Sequence, residues 1–97
     1  MKTKERLVER LRELKPEAES RYKVKEMELF GSFVRGEQSM SSDVDILVEF
    51  EETADLFDMV GLMLFLEENL GRKVDVVPKR ALREEFRGSV LREAIRV

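Results

Sequence analysis

Residues 31–45 read Gly31-Ser32-Phe33-Val34-Arg35-Gly36-Glu37-Gln38-Ser39-Met40-Ser41-Ser42-Asp43-Val44-Asp45. An apolar run, Met27 to Phe30, leads into the glycine-serine pair, and a second apolar strand, Ile46 to Val48, follows the two aspartates. The stretch therefore predicts strand, tight turn, short helix, polar loop and strand. Gly31 lets the chain turn sharply and lets an anion approach the backbone. A strand-to-helix turn leaves backbone N–H groups free and adds partial positive charge from the helix dipole. The Ser32 hydroxyl can donate to a phosphate oxygen, or it can cap the helix. Arg35 lies about one helical turn on and can reach the same anion, or it can pair with Glu37. Gly36 ends the short helix.

The aspartates supply the second half of the pattern. A strand places alternate side chains on one face, so Asp43 and Asp45 share a face with Leu47 and Glu49, while Val44, Ile46, Val48 and Phe50 share the other. Two residues of rise separate the Asp43 and Asp45 backbones by roughly 6.6 Å. Both carboxylates can lean toward one hard cation. Mg²⁺ takes oxygen ligands, keeps several waters and completes its shell with substrate phosphates. Two like charges on one face are costly without such a cation. Asp75, between Val74 and Val76, is a third carboxylate in an otherwise apolar strand. It can join Asp43 and Asp45 if its strand lies beside theirs, and three carboxylates can serve two metal ions. It can also accept the proton of an incoming hydroxyl. The plainer alternative is a strand-end residue paired with Lys73 or Arg72.

Outward from this stretch, periodicity predicts an amphipathic helix over 3–14 carrying Leu7, Val8, Leu11 and Leu14, and a short second helix from Pro16 to about Arg21. Strands are expected at 26–30, with Met27 and Leu29 on one face, at 43–50, and at 73–77, where Pro78 stops the third. A central helix over 55–70 is capped by Gly71. Its expected buried stripe is Leu56, Met59, Val60, Met63, Leu66 and Leu70. Leu62 and Phe65 fall outside that stripe, either as extra core or as an interface for a partner chain. A basic helix over 81–92 turns Leu82, Phe86 and Val90 inward, and a short strand at 94–97 closes the chain. Helices flanking a small mixed sheet make the class α/β or α+β. With 97 residues, a single domain over 1–97 is expected.

Composition narrows the chemistry. The chain has no Cys and no His. Disulfides, thiolate zinc sites, cysteine nucleophiles, Ser-His-Asp triads and imidazole catalysis are excluded. Charge is unevenly spread. Residues 1–35 carry a net +3, residues 36–71 hold ten acidic and no basic side chains, and residues 72–97 carry +4. The acidic middle suits divalent metal and repels nucleic acid, and the basic flanks suit a triphosphate or an acidic partner. The charged N-terminus has no apolar core of a signal peptide, and the longest apolar run, Leu62 to Leu66, is too short for a membrane span. A soluble cytoplasmic protein, with no membrane partner, is the expectation.

Gly31-Ser32, Arg35-Gly36, Ser42-Asp43 and Asp45, with Asp75 on a later strand, resemble the DNA polymerase β-type nucleotidyltransferase superfamily, and the length is similar to its minimal members, abbreviated MNT. Val34 and Met40 depart from the usual loop residues without touching the motif. The resemblance implies a palm-like nucleotidyltransferase fold. It implies a triphosphate site at Gly31, Ser32, Arg35 and Ser42, and Mg²⁺, two ions at full occupancy, at Asp43, Asp45 and Asp75. The implied reaction is attack of a hydroxyl on the α-phosphorus of ATP with loss of pyrophosphate. It also implies a HEPN-domain toxin as partner, with AMP placed on a toxin tyrosine rather than on nucleic acid. Two alternatives stay open: an antitoxin that neutralises its partner by complex formation alone, and transfer to a small molecule.

Overall fold

A computed structural model describes residues 3–97. Its elements are helix α1 (Thr3–Tyr22), strand β1 (Val24–Phe30), one-turn helix α2 (Ser32–Arg35), strand β2 (Val44–Phe50), helix α3 (Leu56–Leu70), strand β3 (Val74–Pro78), a 3₁₀ turn (Lys79–Ala81), helix α4 (Glu84–Glu93) and strand β4 (Ile95–Arg96). The sheet order is β3-β2-β1-β4. β1 runs antiparallel to β2 and β4, and β2 runs parallel to β3. The parallel pair needs a crossover, which α3 provides.

Alternation along β2 creates two unlike faces. Val44, Ile46 and Val48 join Met27 and Leu29 of β1 and Val74 of β3 in the core, under Leu7, Leu11, Leu14 and Ala18 of α1 and Leu62, Phe65 and Leu66 of α3. The opposite face carries Asp45, Leu47 and Glu49. This is the arrangement expected from the sequence pattern. A register shift between Val24 and Glu26 realigns β1 so that Met27 and Leu29 still point inward.

Three expectations change. First, α1 is a single helix with Pro16 inside it, not two helices broken at Lys15-Pro16. Proline removes one backbone hydrogen bond. The buried stripe runs straight through the site, from Leu7 and Leu11 to Leu14 and Ala18, and its packing outweighs that loss.

Second, α3 is rotated from the expected face. Leu62 is fully buried and Phe65 nearly so, which removes both from the role of partner interface. Leu56 and Val60, expected inside, are exposed at 67% and 40%, beside Phe57 and Leu64 at 86% and 55%. The helix is apolar on most of its circumference, so periodicity alone cannot choose a face. Tyr22 chooses it. Its ring packs over Gly61, where a Cβ would stand 2.6 Å from Cε1, and its centroid lies 5.6 Å from that of Phe65.

Third, the helix expected over 81–92 divides into the 3₁₀ turn and α4. Leu82, Phe86 and Val90 face a surface cavity rather than a core, and α4 has no fully buried residue. Among the described residues, no helix is long and apolar enough to cross a membrane.

Candidate active site

The site is assembled where β1 and β2 meet. Phe30, the last residue of β1, is the register partner of Asp45, and Asp45 is the register partner of Asp75 on β3. Adjacent strands stand about 4.8 Å apart, so the two aspartates project from neighbouring backbones on the same face. Two bonds hold this end of the sheet together. The Val44 N–H donates to the Lys73 carbonyl at 2.9 Å, and the Val74 N–H donates to Glu67 of α3 at 3.0 Å. The residues flanking all three aspartates are thus tied to one another.

Gly31 follows Phe30 and turns over the Asp45 carboxylate. Its φ of 83° and ψ of −153° lie in a region open essentially to glycine. A Cβ at this position would stand 2.2 Å from Asp45 Oδ2. Only glycine lets the turn and the carboxylate share this space. Phe33, 1% exposed, pins the turn into the core, and the Arg72 guanidinium lies over its ring at 5.1 Å. Arg72 is therefore used against Phe33.

α2 is only one turn long, so its dipole contributes little. The charge facing an anion comes from Arg35. Arg35 Nε donates to Glu37 at 2.7 Å and Nη1 to Glu93 at 2.9 Å. These hydrogen bonds, to Glu37 first and Glu93 second, raise the guanidinium further above its ordinary pKa. The Gly31 N–H also donates to Glu93 at 3.2 Å. Ser32 is not the helix cap. Gly31 holds that position without a side-chain bond, so the hydroxyl is not spent on capping.

A cavity of about 510 Å³ joins these groups. Gly31, Arg35, Asp45, Asp75 and Glu93 form its polar side, while Val77, Leu82, Phe86 and Val90 form an apolar wall beneath α4. Its volume falls within the usual range for small-molecule sites. Asp43 sits at the exposed head of β2 and lines a neighbouring hollow with Ser42, Arg72 and Lys73. The Ser42 hydroxyl accepts from the Ser39 N–H at 2.8 Å, which closes the polar loop. Neither Glu93 nor the apolar wall is legible in the sequence. Leu82, Phe86 and Val90 make the same pattern facing a core or a cavity, and Glu93 is one of three glutamates on α4 with nothing to single it out.

Electrostatics mark Asp45 as the centre. Burial pushes its carboxyl above the ordinary value, and the charges of Asp75 and then Asp43 push it the same way, while Arg35 pulls it back. The donor set is all carboxylate oxygen, the chemistry a hard divalent cation prefers. Among the described residues no group of three such side chains is placed to hold a metal ion. Asp45 and Asp75 share one cavity and could hold a cation together, while Asp43 lines the neighbouring hollow.

Comparison with known proteins bears on this geometry. The model of the nucleotidyltransferase domain family matches residues 11–97. A relative in Thermococcus cleftensis, "Protein adenylyltransferase MntA", is 46% identical over 83 residues, covering 86% of this chain and 84% of that protein. A solved structure described provisionally as a minimal nucleotidyltransferase superposes with a TM-score of 0.75 at 42% identity, covering 90% of this chain and 92% of the other. A chain from a crystal structure of a toxin–antitoxin with AMP-PNP superposes with a TM-score of 0.67 at 26% identity, covering 97% and 71%. The turn on Asp45, the aspartates of two paired strands and these matches agree: the chain belongs to the nucleotidyltransferase domain family and is a nucleotidyltransferase of the minimal type.

Proposed function

We propose that the chain transfers AMP from ATP to a tyrosine hydroxyl of a cognate HEPN-type toxin, in a cytoplasmic setting, and so acts as an antitoxin. The observation that carries this is the Gly31 turn seated on the Asp45 carboxylate with Asp75 alongside. The 46% identity to a protein adenylyltransferase supports a protein acceptor. The likeness to a chain of a toxin–antitoxin solved with AMP-PNP supports both an adenine nucleotide and a toxin partner.

The chain's own groups divide the work. The Gly31 N–H, the Ser32 hydroxyl and Arg35 hold and orient the triphosphate. The acceptor hydroxyl oxygen forms a bond to the α-phosphorus in line with the leaving oxygen. The bond from the α-phosphorus to the bridging oxygen breaks, and pyrophosphate departs with that electron pair. Asp75, on the exposed side of the pair, accepts the hydroxyl proton. Mg²⁺ at Asp43, Asp45 and Asp75, as two ions at full occupancy, would neutralise charge on the phosphates and acidify the incoming hydroxyl. The apolar wall gives an aromatic acceptor a surface to lie against. Ser42 serves the loop that presents Asp43.

A second reading, neutralisation by complex formation alone, is favoured by the exposed stripe of Leu56, Phe57, Val60 and Leu64 on α3. Contiguous exposed apolar surface commonly marks an interface. One experiment separates the two. Intact mass of the partner is measured after incubation with the protein, ATP and Mg²⁺, beside an Asp43→Asn, Asp45→Asn variant. Mass gain in steps of one AMP, lost in the variant, upholds transfer. An unmodified partner held in a stable complex by both forms upholds binding alone.

A further inference from the structure

Two donors that the Gly31 turn offers an anion are already engaged by one of the chain's own side chains. Glu93 Oε1 accepts from the Gly31 N–H at 3.2 Å and from Arg35 Nη1 at 2.9 Å. Both contacts converge on a single oxygen. That oxygen has the charge sign, the donors and the distances that a phosphate oxygen would have there. The Glu93 side chain is 25% exposed and lines the same cavity as Asp45 and Asp75.

The element that carries Glu93 suits a group that must leave. α4 has no fully buried residue, and Phe86 on it is 50% exposed. The next residues are fixed, because Ile95 and Arg96 pair with Leu29 and Glu28 of β1. Glu93 therefore stands at the joint between a loosely packed helix and an anchored strand. Its side chain can swing away without any strand separating.

We infer that Glu93 is a tethered competitor for the triphosphate, a positioning residue that holds Arg35 and the Gly31 N–H ready and leaves when nucleotide enters. This rests on the assignment of the turn to the triphosphate. Any phosphate ligand that takes these two donors must first displace the carboxylate, so the contact lowers the affinity of each by the same factor, and its return competes with bound pyrophosphate.

The test is calorimetric titration of the full chain with inorganic triphosphate, and separately with ATP and Mg²⁺, for wild type, Glu93→Gln and Glu93→Asp. Gln keeps the shape and removes the charge, and Asp retracts the carboxylate by one methylene. Thermal melts establish that each variant is folded. The expected result is triphosphate binding about three- to tenfold tighter in Glu93→Gln, a smaller gain in Glu93→Asp, and a lower KM for ATP with tighter inhibition by pyrophosphate. Unchanged or weaker triphosphate binding in folded variants overturns the inference. Tighter inorganic triphosphate binding with no binding of ATP by any form upholds Glu93 as competitor and rejects the nucleotide assignment. ATP binding that is equal in all forms retains that assignment and rejects the role of Glu93.

Discussion

At the scale of single residues, the candidate site turns on Gly31 and Asp45. Gly31→Ala places a methyl group 2.2 Å from Asp45 Oδ2 at a backbone angle that alanine rarely adopts. The backbone strain alone costs about 1–3 kcal/mol, and the clash adds to it. The variant is expected to melt at least several degrees lower and to lose AMP transfer, as thermal unfolding and partner mass will show. Asp45 makes a prediction of the opposite sign for stability. Its carboxyl is raised above the ordinary value of 3.8, chiefly by burial. The folded state then holds its proton more tightly than the unfolded state. The stability this contributes is complete below the unfolded value and lost as pH rises through the folded value. Asp45→Asn should therefore melt higher than wild type near pH 7 in metal-free buffer, and the two melting curves should converge as pH falls through the ordinary carboxylate range. Melting both proteins across that range checks it. The placement of both is legible in the sequence because it is set locally: a turn glycine, and a carboxylate at an alternate strand position. That of Glu93 is not, because a contact spanning 62 residues between Gly31 and a C-terminal helix leaves no local pattern.

At the scale of elements, α3 shows where periodicity stops deciding. With apolar residues on most faces of the helix, the expected stripe through Leu56 and Val60 and the observed one through Leu62, Phe65 and Leu66 were both available. The Tyr22 ring over Gly61 selects between them, and that long-range contact is invisible to a helical pattern. The consequence is quantitative. Leu62→Ala empties a fully buried site and should cost about 2–5 kcal/mol. Phe57→Ala, on the exposed side, should change stability by no more than about 0.5 kcal/mol. Urea denaturation of the two variants tests the rotation directly. α1 teaches the same point from the other direction. Pro16 is a fair local signal for a break, yet Leu14 and Ala18 bury on the face already begun by Leu7 and Leu11, and the helix continues.

At the scale of the whole molecule, the fold places an acidic face beside a cationic turn. The core face of the sheet is closed by α1 and α3, so the carboxylates can only point to the side that α4 roofs loosely. Under the proposed function, the oxygen donors of a chain without His or Cys would work with a hard cation. Chelation with EDTA should abolish AMP transfer, and added Mg²⁺ should restore it without refolding, as a partner-mass assay with circular dichroism will report. The flanking helices and all four strands are legible in the sequence, but the strand order is not: the parallel β2–β3 pairing is only the condition under which Asp75 stands beside Asp45. Nor is the roofing by α4, because Leu82, Phe86 and Val90 form the same apolar pattern whether they line a core or a cavity.

The central claim is that this site moves the α-phosphoryl group of ATP, with its nucleoside, onto a partner protein. The most direct measurement incubates the chain and a HEPN-type partner with Mg²⁺ and ATP labelled at either the α- or the γ-phosphate, and follows the label. The expected result is label on the partner from the α position only, with pyrophosphate released in equal amount and neither event in the Asp43→Asn, Asp45→Asn variant. Label from the γ position, or none from either while the complex stays intact, would contradict it.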